Sequence, residues 1–113
     1  MASPIPESVI RCTVDYDEIG ARSKALFGNR HLLEVAATIA EAGPDVRARQ
    51  IEQAAGLAAS TVHRSLATLS SASLLVRVPR KPGEREQSYF RVPHAFWDAA
   101  LRLRADAVQE VTR

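Results

Sequence analysis

The chain has 113 residues and an apolar fraction of 46%, enough for one hydrophobic core and too short for two ordinary domains. No apolar run reaches the roughly 18 residues that a membrane span needs, and a single cysteine, Cys12, excludes an internal disulfide framework. The opening residues lack the basic and then apolar pattern of a signal peptide. We therefore expect a cytoplasmic protein without a membrane partner.

The positive charge is concentrated in the middle of the chain. Residues 47–85 carry seven basic and two acidic side chains, a net of +5, whereas residues 1–46 carry a net of −3 and residues 86–113 a net of zero. A basic segment of this kind indicates either a surface that faces a polyanion or a solvated basic surface. Charge alone does not separate these two interpretations.

Two helices are predicted in the first half of the chain. Residues 1–14 show no sustained periodicity, and we expect a flexible arm there. A first helix is predicted from Asp15 to Phe27. A second helix follows from Asn29, a favourable N-cap, with apolar residues at helical spacing, and the Gly-Pro-Asp turn at 43–45 ends it.

Two shorter helices and a hairpin follow. The third helix is predicted over 47–55 and the fourth from Ser60 to Leu69. The branched apolar residues of 74–78 favour a strand, and the Pro-Gly turn at 82–83 leads to a returning strand over 88–92.

A last helix is predicted from His94 to about residue 111. The predicted fold is therefore mainly α with a small β-hairpin wing, in one domain over 15–113.

The most informative pattern is helix, glycine turn, helix over residues 50–66. Gly56 can adopt the positive φ that a sharp turn after a helix requires. Val62 and Leu66 would hold the second helix against the first. The opposite, polar face would then carry Ser60, Thr61, His63, Arg64 and Ser65, with Thr68 further along. Base-edge contacts are made from this position in helix-turn-helix proteins.

These residues resemble a known group. The run Ala-Ser-Thr-Val-His-Arg-Ser-Leu-Ala-Thr-Leu at 59–69, followed by Leu-Leu-Val-Arg at 74–77, resembles the DNA-binding module of IclR-type regulators. It is also similar to the ArsR and MarR winged-helix groups, and the resemblance covers roughly 29–92. The chain leaves no room for the large effector-binding domain of IclR proteins, which favours a compact, ArsR-like dimer.

The predicted hairpin tip is basic. Arg80, Lys81 and Arg85 surround the Pro-Gly turn, and a basic wing beside a helix-turn-helix can contact phosphates or the minor groove. The alternative is a tip that is polar only because it is exposed. Arg47 and Arg49, at the start of the third helix, are further candidates for phosphate or minor-groove contact.

The residues favour neither catalysis nor a metal site. The sequence contains no nucleophile elbow, glycine-rich phosphate loop or paired-carboxylate signature. His94 and Asp98 lie four residues apart on the last helix, while Cys12 and His31 are isolated, and tetrahedral zinc needs three or four convergent ligands. We expect no enzyme activity, no cofactor and no metal.

The sequence thus predicts a sequence-specific regulator of transcription that binds duplex DNA, acting as a dimeric repressor. Two alternatives stay open: a plasmid-partition or replication accessory protein on the same fold, and a winged-helix module that binds protein.

Apolar stripes on the two end helices predict the assembly. Trp97, Leu101 and Val108 share one stripe of the last helix, and Ile19, Leu26 and Phe27 lie on the first helix. A helix with excess apolar surface usually buries it against a partner, so we expect a homodimer through these residues. The alternative is that the stripes cover the core of a single protomer.

Overall fold

The computed structural model describes residues 18–112, with side chains for 18–108. The predicted arm over 1–14 and the first three residues of the predicted first helix lie outside the described residues. Helix α1 covers 18–27. It is followed by α2 (Leu32–Ala42), β1 (Asp45–Arg47), α3 (Ala48–Ala55), α4 (Ala59–Ser71), β2 (Leu75–Val78), β3 (Ser88–Arg91) and α5 (Ala95–Thr112).

The turn between α1 and α2 is held by polar side chains. The buried Ser23 hydroxyl donates to the Asn29 carbonyl and accepts a hydrogen bond from the Leu33 amide. The Asn29 side-chain oxygen accepts the His31 amide at 2.9 Å. Helix α2 begins at Leu32 with His31 as its N-cap, so the prediction of Asn29 as the N-cap was wrong. Asn29 instead closes the turn that precedes the helix.

Helix α2 forms the centre of the core. Its side chains Leu33, Val35 and Ile39 are fully buried, and the helix contacts α3, α4, α5 and β1. Burying each large aliphatic side chain stabilises the fold by about 1.5–3 kcal/mol. The core is therefore assembled around one helix, and the other helices are positioned by their contacts with it.

The sheet has three antiparallel strands in the order β1-β3-β2. The sequence predicts only the β2–β3 hairpin and misses β1, which is three residues long and pairs with β3 through Val46 and Tyr89. Three residues are too few to show an alternating pattern. The strand forms because it pairs with β3, which is distant in sequence. Since β1 runs directly into α3, the sheet fixes where α3 begins.

Helix α5 is attached to the rest of the protein by polar contacts as well as apolar ones. The Trp97 indole donates to the Val92 carbonyl at 2.8 Å. Arg104 pairs with two carboxylates of α2, at 2.7 Å from Glu41 and 3.5 Å from Glu34. None of the helices in the described part of the chain is both long and apolar enough to cross a membrane.

Candidate nucleic-acid interface

The turn between α3 and α4 depends on Gly56. This residue has φ 68° and ψ 33°, and its amide donates to the Glu52 carbonyl at 2.9 Å. A non-glycine residue is strained in this left-handed region. Ile51 of α3 and Val62 of α4 are fully buried on either side of the turn, so the two helices are held at a fixed angle.

Helix α4 has a buried face and an exposed polar face. Val62, Leu66 and Leu69 lie in the core. The polar side chains Ser60, His63, Arg64 and Thr68 are exposed, and Thr61 is half-buried at the edge. The Thr68 hydroxyl donates to the Arg64 carbonyl at 3.1 Å.

Ser65 belongs to the buried face of α4, so its prediction on the polar face was wrong. It follows Val62 by three residues, which places both on one side of a helix. Its side chain is fully buried, and its hydroxyl has no hydrogen-bond partner in the described structure. Ser65 is therefore not available to DNA.

A groove of about 720 Å³ lies between the start of α3, one edge of α4 and the loop that joins β2 to β3. We call this loop, residues 79–87, the wing loop. Five arginines, one histidine and three carboxylates line the groove, together with Gln87. They are Arg47, Arg49, Arg77, Arg80 and Arg85, then His63, then Glu52, Glu84 and Glu86. Five arginines converge there, although they come from four separate segments, β1, α3, β2 and the wing loop.

The structure divides the predicted contact residues into two sets. Arg47, Arg49, Arg80 and Arg85 line the groove together with His63. The other predicted residues, Ser60, Thr61, Arg64, Thr68 and Lys81, lie outside its lining. The groove thus adjoins the polar face of α4 without including its centre.

Sequence reasoning missed Arg77 and Glu86 as groove residues. Arg77 counts toward the basic central segment, but its place on β2 beside Tyr89 of β3 follows only from strand pairing. Glu86 follows that segment directly, and its carboxylate accepts the Arg49 amide of α3 at 3.1 Å. No local pattern indicates that contact, because it joins residues far apart in the chain.

The wing loop is braced by its own side chains. Arg80 donates to the Arg85 carbonyl at 3.0 Å. The Gln87 amide nitrogen donates to the carbonyls of Val78 and Ser88, at 2.7 and 2.9 Å. These contacts hold the loop in a defined shape, so the guanidinium groups are presented from a fixed backbone.

The structure places the predicted dimer residues in three different environments. Ile19 and Trp97 are 6% and 4% exposed and belong to the core of the protomer. Leu101 and Val108 are partly buried against that core. Leu26 and Phe27 are exposed, by 56% and 36%.

Phe27 also packs edge-on against Phe96 of α5, with ring centroids 6.2 Å apart. Of the predicted dimer residues, Leu26 and Phe27 at the end of α1 thus leave the most apolar surface exposed.

The remaining candidate groups do not converge. Among the described residues, no three histidine, cysteine, aspartate or glutamate side chains are grouped so as to hold a metal ion. The His94 imidazole accepts the Phe96 amide at 2.9 Å at the start of α5. Cys12 lies outside the described residues.

The helices α1, α3, α4 and α5 surround α2, and α3 and α4 form a helix-turn-helix. The β2–β3 hairpin lies beside it. This arrangement is a winged helix-turn-helix fold. Residues 31–79 match the IclR helix-turn-helix domain family, as the resemblance of residues 59–69 predicts. No curated protein matches the chain over its sequence.

Solved structures of MarR proteins share the fold. A MarR family transcriptional regulator from Streptomyces coelicolor, solved in complex with DNA, is similar with a TM-score of 0.64 and 16% identity, over 92% of this chain and 68% of that one. A cysteine-to-serine mutant of MarR from E. coli is similar with a TM-score of 0.69 and 15% identity, over 98% and 85%. The chain is thus a winged helix-turn-helix protein, and the prediction of that class is confirmed.

Proposed function

We propose that the chain is a transcriptional regulator that binds duplex DNA in a sequence-specific manner. One observation carries the proposal: five arginines line a groove that adjoins the exposed polar face of a helix-turn-helix helix. In this arrangement α4 would enter the major groove, where side chains distinguish all four base pairs. The arginines of the groove and wing loop would contact the flanking phosphates.

Within this proposal the exposed polar residues of α4 recognise the base sequence. Arg64 is long, exposed and able to form two hydrogen bonds with a guanine edge. Ser60 and Thr68 are short donors and acceptors on either side of it, and His63 faces the groove. Arg47, Arg49, Arg80, Lys81 and Arg85 would act as phosphate contacts.

The proposed regulator is a homodimeric repressor. Leu26 and Phe27 leave apolar surface exposed at the end of α1, and an isologous contact there would pair two copies about a two-fold axis. Two copies of α4 would then face successive major grooves. A dimer bound across an operator would repress by occupying DNA that polymerase needs.

Binding to a random-sequence duplex tests the DNA-binding step of the proposal. Nonspecific binding is largely electrostatic, so we expect retention at low salt and a linear fall of log affinity with log salt, with a slope of roughly −0.9 for each phosphate contacted. A chain that is not retained on duplex DNA at low salt would contradict the proposal and favour a protein-binding module.

A further inference from the structure

The wing loop is joined to the helix-turn-helix by one side chain. In the described structure, a single hydrogen bond connects the wing loop to a helix. The Arg49 amide of α3 donates it to the Glu86 carboxylate, at 3.1 Å. Both residues line the groove.

Helix α3 lacks an N-terminal side-chain cap of its own, and Glu86 supplies one. Its N-cap residue is Arg47, which makes no side-chain capping bond, and its first turn contains no acidic residue. The first amides of a helix have no partner within the helix, and the positive end of the helix dipole favours an anion there. A carboxylate from the wing loop meets both requirements.

Glu86 also lies among cations, and with Glu52 and Glu84 of the same groove it reduces their mutual repulsion. The guanidinium groups of Arg49, Arg80 and Arg85 line the same groove, and like charges so placed repel one another. Arg80 and Arg85 belong to the wing loop, while Arg49 belongs to α3. A negative group between the two elements therefore favours the closed arrangement.

We infer that Glu86 is a positioning residue that docks the wing loop on the start of α3 and sets the width of the DNA-binding groove. The inference rests on the proposed function. It differs from a phosphate contact, because Glu86 acts through the Arg49 backbone and touches no DNA. It differs also from autoinhibition, in which Glu86 would occupy a phosphate position and DNA would have to displace it.

Hydrogen exchange of the Arg49 amide tests the docking contact without DNA. Glu86→Ala should speed exchange roughly fivefold, the factor that one hydrogen bond of ordinary net strength represents. Glu86→Gln keeps a side-chain oxygen but loses the charge, and should retain part of the protection. Glu84→Ala is the matched control, because Glu84 is exposed in the same loop and has no hydrogen bond to α3 in the described structure. Unchanged Arg49 exchange in Glu86→Ala would overturn the inference.

The salt dependence of duplex binding tests the consequence for DNA. Glu86→Ala should flatten the slope of log affinity against log salt by about one to three units, since up to three wing-loop cations lose their register with the phosphates. Glu86→Gln keeps the accepting oxygen but not the charge and should flatten the slope less than Glu86→Ala does. Asp106→Ala removes an exposed carboxylate of α5 that lies outside the groove lining, and it should leave the slope unchanged.

Loss of a carboxylate from this basic groove by itself favours binding to a polyanion, and Glu84→Ala measures that general gain. Binding by both Glu86 variants that is tighter than this gain would instead show autoinhibition and overturn the positioning role. If wild-type protein does not bind DNA, the proposed function fails, while the exchange experiment still decides the docking contact.

Discussion

His63 and Arg64 are neighbours in sequence but face different surroundings. His63 lines the groove beside the wing loop, whereas Arg64 lies on the exposed face of α4 outside that lining. In the proposed complex, a side chain in the groove would contact the DNA backbone, while one at the centre of the exposed face would contact base edges. The two positions should therefore differ in what their loss does to binding.

Arg64→Ala should weaken binding to the preferred site by about 1–3 kcal/mol and relax selection at one base position. The fold should be unaffected because the side chain is exposed. Anisotropy titrations on matched and shuffled duplexes would measure the loss, with Arg102→Ala, exposed on α5, as the control. An equal loss on every sequence would instead assign Arg64 to a phosphate.

Glu34 is a second residue whose surroundings have a measurable consequence. Burial raises the pKa of its carboxyl above the ordinary value of 4.5, the Arg104 guanidinium opposes the rise, and Glu41 adds to it. One of its oxygens is buried with no hydrogen-bond partner in the described structure. The ion pair with Arg104 therefore only partly offsets the loss of hydration.

Stability should fall as the pH rises through the folded-state pKa of Glu34. Between 4.5 and that value the native state holds a proton that the unfolded chain has released, so each rise in pH favours unfolding. Urea denaturation of wild type and Glu34→Gln at several pH values would measure this. The variant should lose stability less steeply over that interval, and identical pH profiles would contradict the assignment.

The wing has a fixed base, where β2 pairs with β3, and a basic tip in the wing loop. Gln87 and the strand pairing fix the base, and Arg80 braces the loop through the Arg85 carbonyl. Lys81 is exposed, and its side chain has no hydrogen bond to the loop in the described structure. Arg80 and Lys81 thus carry the same charge with different structural roles.

Lys81→Ala should reduce the salt slope of duplex binding by about one unit and weaken all sequences alike. Arg80→Ala should weaken duplex binding more than Lys81→Ala does, because it removes a cation and also the hydrogen bond to the Arg85 carbonyl that braces the loop. Titrations of both variants over a range of salt would measure the difference, with Arg102→Ala again as the control. A loss confined to one operator sequence would mean that the wing responds to bases or groove width.

The elements predicted correctly are those with local signals. The glycine at 56 and the apolar spacing of Val62 and Leu66 indicate the helix-turn-helix without reference to the rest of the chain. Strand β1 escapes prediction because it exists through its pairing with β3. The same holds for the groove: its arginines could be counted from sequence, but their convergence and the Glu86 contact depend on tertiary structure.

The whole molecule leaves only part of the predicted dimer surface exposed. Trp97 and Ile19, predicted at the interface, complete the protomer core, since α5 packs along α2 within one chain. Leu26 at the end of α1 is left over half exposed. The sequence could not separate these residues, because a core stripe and an interface stripe have the same spacing.

Leu26→Glu should convert a dimer to a monomer at micromolar concentration while leaving the melting temperature of the protomer nearly unchanged. A charge at the centre of an apolar contact is costly, whereas the same charge on an exposed side chain is not. Light scattering would measure the mass, and Val76→Glu is the control, because Val76 is 52% exposed on the sheet. A wild-type monomer, or a Leu26→Glu dimer, would contradict the proposed interface.

Selection of bound sites from a random duplex library tests the central claim most directly, because it asks whether the chain distinguishes sequences. We expect enrichment of an inverted repeat whose half-sites are centred about 34 Å apart, or roughly ten base pairs. Selection with Arg64→Ala should lose preference at one position in each half-site. Recovery of unenriched sequences by wild-type protein would contradict sequence-specific recognition by α4.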